Sequence, residues 1–316
     1  MNEQLIIKNG EDIVRCSQIA MVLEVSGYPK PGNVHRTQNF PKTQFEHFLI
    51  GAIVCRKSFY ELVSRSNKIG RGQLQLKELN LGKFILQGVK ETLNWQRGGN
   101  INLGLLLLLG PLSAAAGIIL EQGEIENDSL REVLSKILKN TTSEDTINLY
   151  EAIEICQPGG LGQVKEFDVM DKSSKTKILK KNINLYDIFK LSASWDNIAA
   201  EYVSDFKITF EIGVPYFKKV FEESKEINIA TVDTFLYILS CVPDSLIQRK
   251  TSLEKAKSIS ERAKKIVDGG GLRYRRQEII EFDNYLQKKS GKMNPGTTAD
   301  LTAASIMVNL LYGLKI

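Results

Sequence analysis

A chain of 316 residues, 42% hydrophobic and 25% charged with only 8 prolines, can bury a large core, which excludes a wholly disordered protein. Its 42 basic and 37 acidic residues leave a net charge of +5, too even a balance for a nucleic-acid groove but compatible with an anionic small molecule. Cys16, Cys55, Cys156 and Cys241 are scattered with no CxxC spacing, which favours free thiols in a reducing compartment over zinc or disulfides.

The N-terminal run MNEQLIIKNGED has acidic residues and no long apolar core, so it does not read as a signal peptide. From Asp12 to Val25, Ile13, Cys16, Ala20 and Leu23 recur at spacings of three and four, the pattern of an amphipathic helix. Glu24 stands near the end of that helix, where the macrodipole disfavours negative charge, so Lys30, Arg36 or a bound cation should compensate it. The loop YPKPGNVHR follows, stiffened by Pro29 and Pro31, and Lys30, Asn33, His35 and Arg36 project from it as a clamp for an anion. The chain has two histidines, and both, His35 and His47, fall in this region, so His47 too is expected among the ligand-binding residues. Thr43 to Glu46 reads as a capping box that opens a helix with Phe45, Phe48, Leu49, Ala52 and Ile53 on one face and His47 in its first turn.

Further helices are expected at 76–96, 101–121, 128–139, 143–156, 195–222, 229–241, 251–267, 274–290 and 298–314. Ile101 to Leu120 is a run of 20 uncharged residues, long enough to cross a bilayer. Asn102, Gly104, the Gly110–Pro111 break and Gly117, with no second such run, favour instead a helix buried on all sides by others. No hairpin dipeptide lies between alternating runs, and the lysine-rich tract Asp171 to Asn184 reads as a solvated loop or insertion. The expected fold is all-α, a single multi-helix domain spanning 1–316 around a buried central apolar helix.

Three Gly-containing breaks carry candidate chemistry: RGGNINLG from Arg97, QPGGLGQVKEFDV from Gln157 and NPGTTADLTAA from Asn294. The first and third open helices, whose unpartnered N–H groups and partial positive charge attract anions. Asn100, Asn102, Asn294, Thr297 and Thr298 would add short polar side chains, and Gly159 and Gly160 would admit a ligand close to the backbone. Each loop alone is also what an ordinary turn and N-cap look like, and none matches a Walker or GxGxxG pattern. Asp300 sits in a first helical turn, where a carboxylate is at home, and Asp168 reads equally as a turn former or a site residue.

Together EVSGYPKPGNVHR, GGNINLG, PGGLG with DV after it, and NPGTTADLTAA resemble the triphosphoribosyl-dephospho-CoA synthase family, in a form that looks like its archaeal-type branch. The resemblance runs from about residue 10 to 315. It implies an all-α cytoplasmic enzyme that acts on small molecules, with no nucleic acid or membrane as partner and with a homo-oligomer left open. It also implies a pentosyltransferase: ATP gives up adenine, and its triphosphoribosyl group passes to a ribose hydroxyl of dephospho-CoA. The chain departs from the bacterial pattern, with Asn33 and His35 where Leu and Asp are usual, Asn102 and Leu103 in place of His and Lys, and Thr297-Thr298 in the C-terminal motif.

For such a reaction Lys30, Arg36, Asn100, Asn102, Thr297 and Thr298 are expected to hold phosphates, and Mg2+ to bridge them with help from Glu24 or Asp300. His35 is the expected general base or acid, with Asp168 as the alternative. Two other readings fit the same residues: nucleotide-dependent ribosyl transfer to another cofactor precursor, and a non-catalytic nucleotide-binding protein.

Overall fold

The computed structural model describes residues 4–159, 166–288 and 291–316, and no strand occurs among them. Seven helices form the first half: α1 (Gly10–Ser26), α2 (Phe45–Val54), α3 (Arg56–Gly70), α4 (Leu81–Trp95), α5 (Leu103–Leu120), α6 (Asn127–Lys139) and α7 (Ser143–Cys156). Short helices α8 (Lys172–Lys181), α9 (Leu185–Lys190) and α10 (Asn197–Val203) follow, then a π-helical turn (Thr209–Gly213) that runs into α11 (Val214–Ser224). The chain ends with α12 (Ile227–Cys241), α13 (Ser245–Lys250), α14 (Leu253–Asp268), α15 (Gly271–Gln287) and α16 (Gly296–Leu311).

Helix α5 organises the rest because it has no polar face to offer water. It is long and apolar enough to cross a membrane, yet 89% of it is buried inside the protein, with α1, α3, α4, α6 and α16 packed around it. Pro111 lies inside α5 and contributes no N–H, so the Leu107 carbonyl loses its usual partner four residues on. The fully buried Tyr202 of α10 supplies the substitute, its hydroxyl donating to Leu107 O at 2.8 Å. A second apolar cluster joins α12, α14 and α15, and α12 serves both clusters, with Ala230 and Ile238 towards the first and Phe235 and Leu239 towards the second.

Helix starts leave N–H groups unpaired, and this fold repeatedly satisfies them with a carboxylate from elsewhere in the chain. Asp145 of α7 accepts from Gly82 N at 2.8 Å at the start of α4, and Asp233 of α12 from Leu272 N at 2.7 Å at the start of α15. Glu201 of α10 accepts from Ile208 N at 2.7 Å and Thr209 N at 2.9 Å.

The structure departs from the sequence reading at several joints. The tract read as a solvated loop contains α8: Asp171 caps it by accepting from Ser173 N at 2.8 Å, and Ile178, fully buried, docks it. Helix α3 was not expected; only Cys55 separates it from α2, and its Phe59, Leu62 and Val63 are buried. The helix expected at 195–222 is broken where Asp205 and Phe206 take positive φ, and α4 starts only after Asn80, at φ 60. The N-cap of α2 is Gln44, not Thr43, whose hydroxyl donates to Gly98 O at 2.8 Å.

Two outcomes follow from these contacts. Tyr202→Phe strands the Leu107 carbonyl inside the core and should cost about 1–3 kcal/mol in a urea melt. Burial lifts the Glu201 carboxyl from the usual 4.5 to about 7 and the Asp233 carboxyl from 3.8 to about 6. The folded protein therefore keeps protons that the unfolded chain has released. Stability should be greatest below about pH 4 with respect to these groups and fall as pH rises to about 7. Urea melts across that range should show a shallower slope for Glu201→Gln.

Candidate active site

The loop after α1 folds back on the helix it leaves. The last turn of α1 has no basic residue of its own, and Lys30 takes that place. Its ammonium, 1% exposed, donates to Glu24 O at 2.8 Å and to the Glu24 carboxylate. Burial pulls the Lys30 pKa down, while the Glu24 charge opposes the shift.

Asp283 of α15 holds the other half of the loop. One carboxylate oxygen accepts from Gly32 N at 2.9 Å, and the other lies 2.9 Å from His35 Nε2. Gln287 ties the same region down, donating to Asn33 O at 2.8 Å and to Asp283 at 3.0 Å. The second His35 nitrogen, Nδ1, lies 3.2 Å from the Thr37 hydroxyl, so both ring nitrogens are engaged. Arg36 turns outward, with Nε donating to Ser26 O at 2.7 Å and Nη2 to Asn228 Oδ1 at 2.8 Å.

Beside this loop opens a cavity of about 640 Å³, within the roughly 300–1,000 Å³ range of small-molecule sites. One side is apolar and aromatic, with Tyr150 and Ile153 of α7, Phe189 of α9 and Trp195 before α10. The other gathers helix ends: the close of α1, the starts of α5 and α16, and the close of α13.

At the start of α5, Asn100 Oδ1 accepts from Leu103 N at 3.2 Å, and Asn102 turns inward, donating to Thr92 Oγ1 at 2.7 Å. The N–H groups of Gly104 and Leu105, both on the cavity wall, have no partner among the described residues. Asp300 of α16 lies directly against this turn: a Cβ at Gly104 would stand 2.1 Å from Asp300 Oδ2, so only glycine admits the carboxylate there. No hydrogen bond reaches the Asp300 carboxylate among the described residues. Burial pushes its pKa well above the usual range, and the charges of Glu24, Asp244 and Asp196 push the same way against Arg249.

The start of α16 is already capped from within. Buried Asp244 accepts from Thr298 N at 2.7 Å and Thr298 Oγ1 at 2.8 Å, and also from Ile247 N at 3.0 Å in α13. Thr297 Oγ1 accepts from Ser245 Oγ at 3.1 Å. Asn33 Nδ2 donates to Pro295 O at 3.2 Å; Asn294 lines the cavity, and its Oδ1 is buried with no partner among the described residues.

Of the residues singled out from sequence, Glu24, Lys30, Asn33, Asn100, Asn102, Gly159, Asp168, Asn294, Thr297 and Asp300 line the cavity. Four do not. His35 is buried against Asp283, Arg36 is spent on Ser26 and Asn228, and Thr298 is held by Asp244. His47 caps α2, with Nδ1 accepting from Gln44 N at 3.0 Å. Gly160 lies outside the described residues. His35, expected to carry a proton, and Arg36, His47 and Thr298, expected to contact a ligand, are thus engaged with the protein itself and lie outside the cavity lining. Asp196, Arg249 and Lys250 line the cavity without having been foreseen, and they lie in no recognisable motif.

A family profile described as ATP:dephospho-CoA triphosphoribosyl transferase matches residues 10–315. A Salmonella typhi protein described as a candidate 2-(5''-triphosphoribosyl)-3'-dephosphocoenzyme-A synthase is 21% identical over 296 residues, 90% of this chain and 86% of its own. The Salmonella typhimurium counterpart is 20% identical over the same span of 296 residues, with the same shares of 90% and 86%. A crystal structure from Archaeoglobus fulgidus, described as a candidate triphosphoribosyl-dephospho-CoA synthase, superposes with a TM-score of 0.65 at 27% identity, covering 84% of this chain and 100% of the other.

If His35 is a strut rather than a proton carrier, its loss should register through Asp283. A double-mutant cycle of His35→Ala and Asp283→Ala in urea melts should give a coupling energy of about 1–3 kcal/mol. Additive effects would free His35 for another role.

Proposed function

The chain belongs to the family of ATP:dephospho-CoA triphosphoribosyl transferases, and on that premise we propose that the cavity beside the Lys30 loop is where the pentosyl group changes hands. In this reading the bond from the ATP ribose C1 to adenine N9 breaks and a bond from C1 to the hydroxyl oxygen of dephospho-CoA forms. The hydroxyl proton is removed, and adenine departs having gained one.

What supports the reading is the meeting, in one cavity lining, of Asp300 on Gly104 and the N–H groups at the start of α5 that have no partner among the described residues. Buried polar groups without partners are costly, and a ribose with its hydroxyls and a phosphate oxygen would satisfy them. Adenine belongs on the aromatic side, against Trp195, Phe189 and Tyr150, where a flat ring stacks and water is excluded. As C1 gains positive charge, Glu24, its carboxylate fixed by the Lys30 ammonium, supplies negative charge from the same cluster of helix ends. Asp168 takes the hydroxyl proton. It lines the cavity, and its Oδ1 is oriented by the Met170 N–H at 2.8 Å.

The reaction of a triphosphate calls for Mg2+, and the residues present fit one carried in with the nucleotide. No three His, Cys, Asp or Glu side chains converge as a cage among the described residues. Asp300, with Glu24 within electrostatic reach, would add the one or two carboxylates that phosphate-bound Mg2+ commonly takes. When bound, the ion neutralises charge on the triphosphate.

Incubation with ATP, dephospho-CoA and Mg2+ should release adenine in step with a pentosylated product. Asp168→Asn should lower kcat roughly a hundredfold. Adenine release indifferent to dephospho-CoA, or no release at all, would overturn the transferase reading.

A further inference from the structure

Among the described residues five carboxyl groups line the cavity: Glu24, Glu166, Asp168, Asp196 and Asp300. Glu24 is paired with Lys30, Asp196 with Arg249, and burial favours the neutral form of Asp300; a chain of phosphates still needs a local concentration of positive charge to bind here. Among the described residues three basic side chains line the cavity, Lys30, Arg249 and Lys250. Lys30 is committed, its ammonium given to the Glu24 carbonyl and carboxylate.

The other two are adjacent at the end of α13 and mostly uncommitted. Arg249 Nη1 pairs with Asp196, whose other oxygen caps α10 by accepting from Ile198 N at 2.9 Å and Ala199 N at 3.1 Å. Arg249 Nε and Nη2 have no partner among the described residues, so the guanidinium keeps an open edge. The Lys250 ammonium donates to Gly291 O at 3.2 Å and pairs with no carboxylate among the described residues. Burial lowers its pKa, Asp244 opposes the shift, and the neighbouring Arg249 adds to it, as expected of two cations crowded together. Gly159, from the loop after α7, lies over this lysine: a Cβ there would stand 3.2 Å from Lys250 Cε.

We propose that Arg249 and Lys250 form the polyphosphate subsite of the cavity, with Asp196 as the positioning residue that aims the guanidinium. Arg249 offers two parallel N–H donors to one phosphate, and Lys250 a point charge to the next. The proposal rests on the cavity being the nucleotide site. It puts most of the phosphate recognition on α13 rather than on the polar side chains of the Gly-rich loops, which are largely occupied by the protein itself, and leaves a single phosphate oxygen to the N–H groups at the start of α5. Both substrates carry linked phosphates, the triphosphate of the donor and the diphosphate of the acceptor, and either could fill the corner.

Inorganic tripolyphosphate is the probe. Calorimetry should show it binding to the wild-type protein, and Lys250→Met or Arg249→Met should weaken binding tenfold or more, in line with loss of a charged hydrogen bond. Arg249→Lys should not restore it, because the fork is lost. Circular dichroism and thermal melts verify folding. Should the Arg249 variants fail to fold once Asp196 is left alone, Lys250→Met carries the test. Steady-state kinetics then separate the sources. A KM raised for ATP alone places the donor triphosphate in the corner, and one raised for dephospho-CoA alone places the acceptor diphosphate there. Absence of tripolyphosphate binding to wild type, or binding and both KM values within twofold of wild type in Lys250→Met, overturns the proposal. If wild type binds tripolyphosphate but releases no adenine, the transferase reading fails and the subsite stands.

Discussion

The buried ammonium of Lys30 is the contact on which the site depends. It meets two acceptors at the close of α1, a main-chain carbonyl and the Glu24 carboxylate, at the helix end where a cation is favoured. A charge taken this far out of water is tolerable only when paired and hydrogen-bonded. That requirement bends the loop back over the helix and thereby sets Asn33 on the cavity wall. Asp283 completes the arrangement from α15, so the loop is pinned to the first and fifteenth helices at once.

The location of the cavity follows from the apolar character of α5. A helix with no charged residue and a single polar one, the buried Ser113, must be enclosed along its length, so polar chemistry is displaced to its first turn. There the ends of other helices arrive, and the carboxylates Asp244 and Asp300 divide the work. Asp244 is consumed in capping α13 and α16, while Asp300, kept in place by the absence of a side chain at Gly104, stays open to the cavity. The same capping device at Asp145, Asp233 and Glu201 shows it to be a habit of this fold, in which helix starts are buried and cannot be left to water.

Much of this was legible in the chain before any coordinates. Apolar residues at spacings of three and four mark α1, and the uncharged run from Ile101, broken by Gly and Pro, marks a core helix. The loops flanking the cavity are recognisable by their prolines and glycines. What could not be read was which polar side chains face the cavity, because the partners that claim the others lie far away in sequence. His35 is answered by Asp283 and Thr298 by Asp244, and neither acid belongs to a pattern. Helices of six residues such as α9 and α13 are too short to show periodicity, so Arg249 and Lys250 carried no signal. Helix α8 was hidden by its lysines, since one buried isoleucine is a faint mark of a docked helix.

The proline in α5 has a mechanical consequence. The carbonyl it leaves open is met by Tyr202, and Tyr202 stands six residues from Asp196 on the short helix that Asp196 begins. The wall that bears Trp195 and Asp196 is thus riveted to the innermost helix by a hydroxyl. Any tug a substrate exerts on that wall is transmitted to the deepest part of the protein rather than absorbed at its rim.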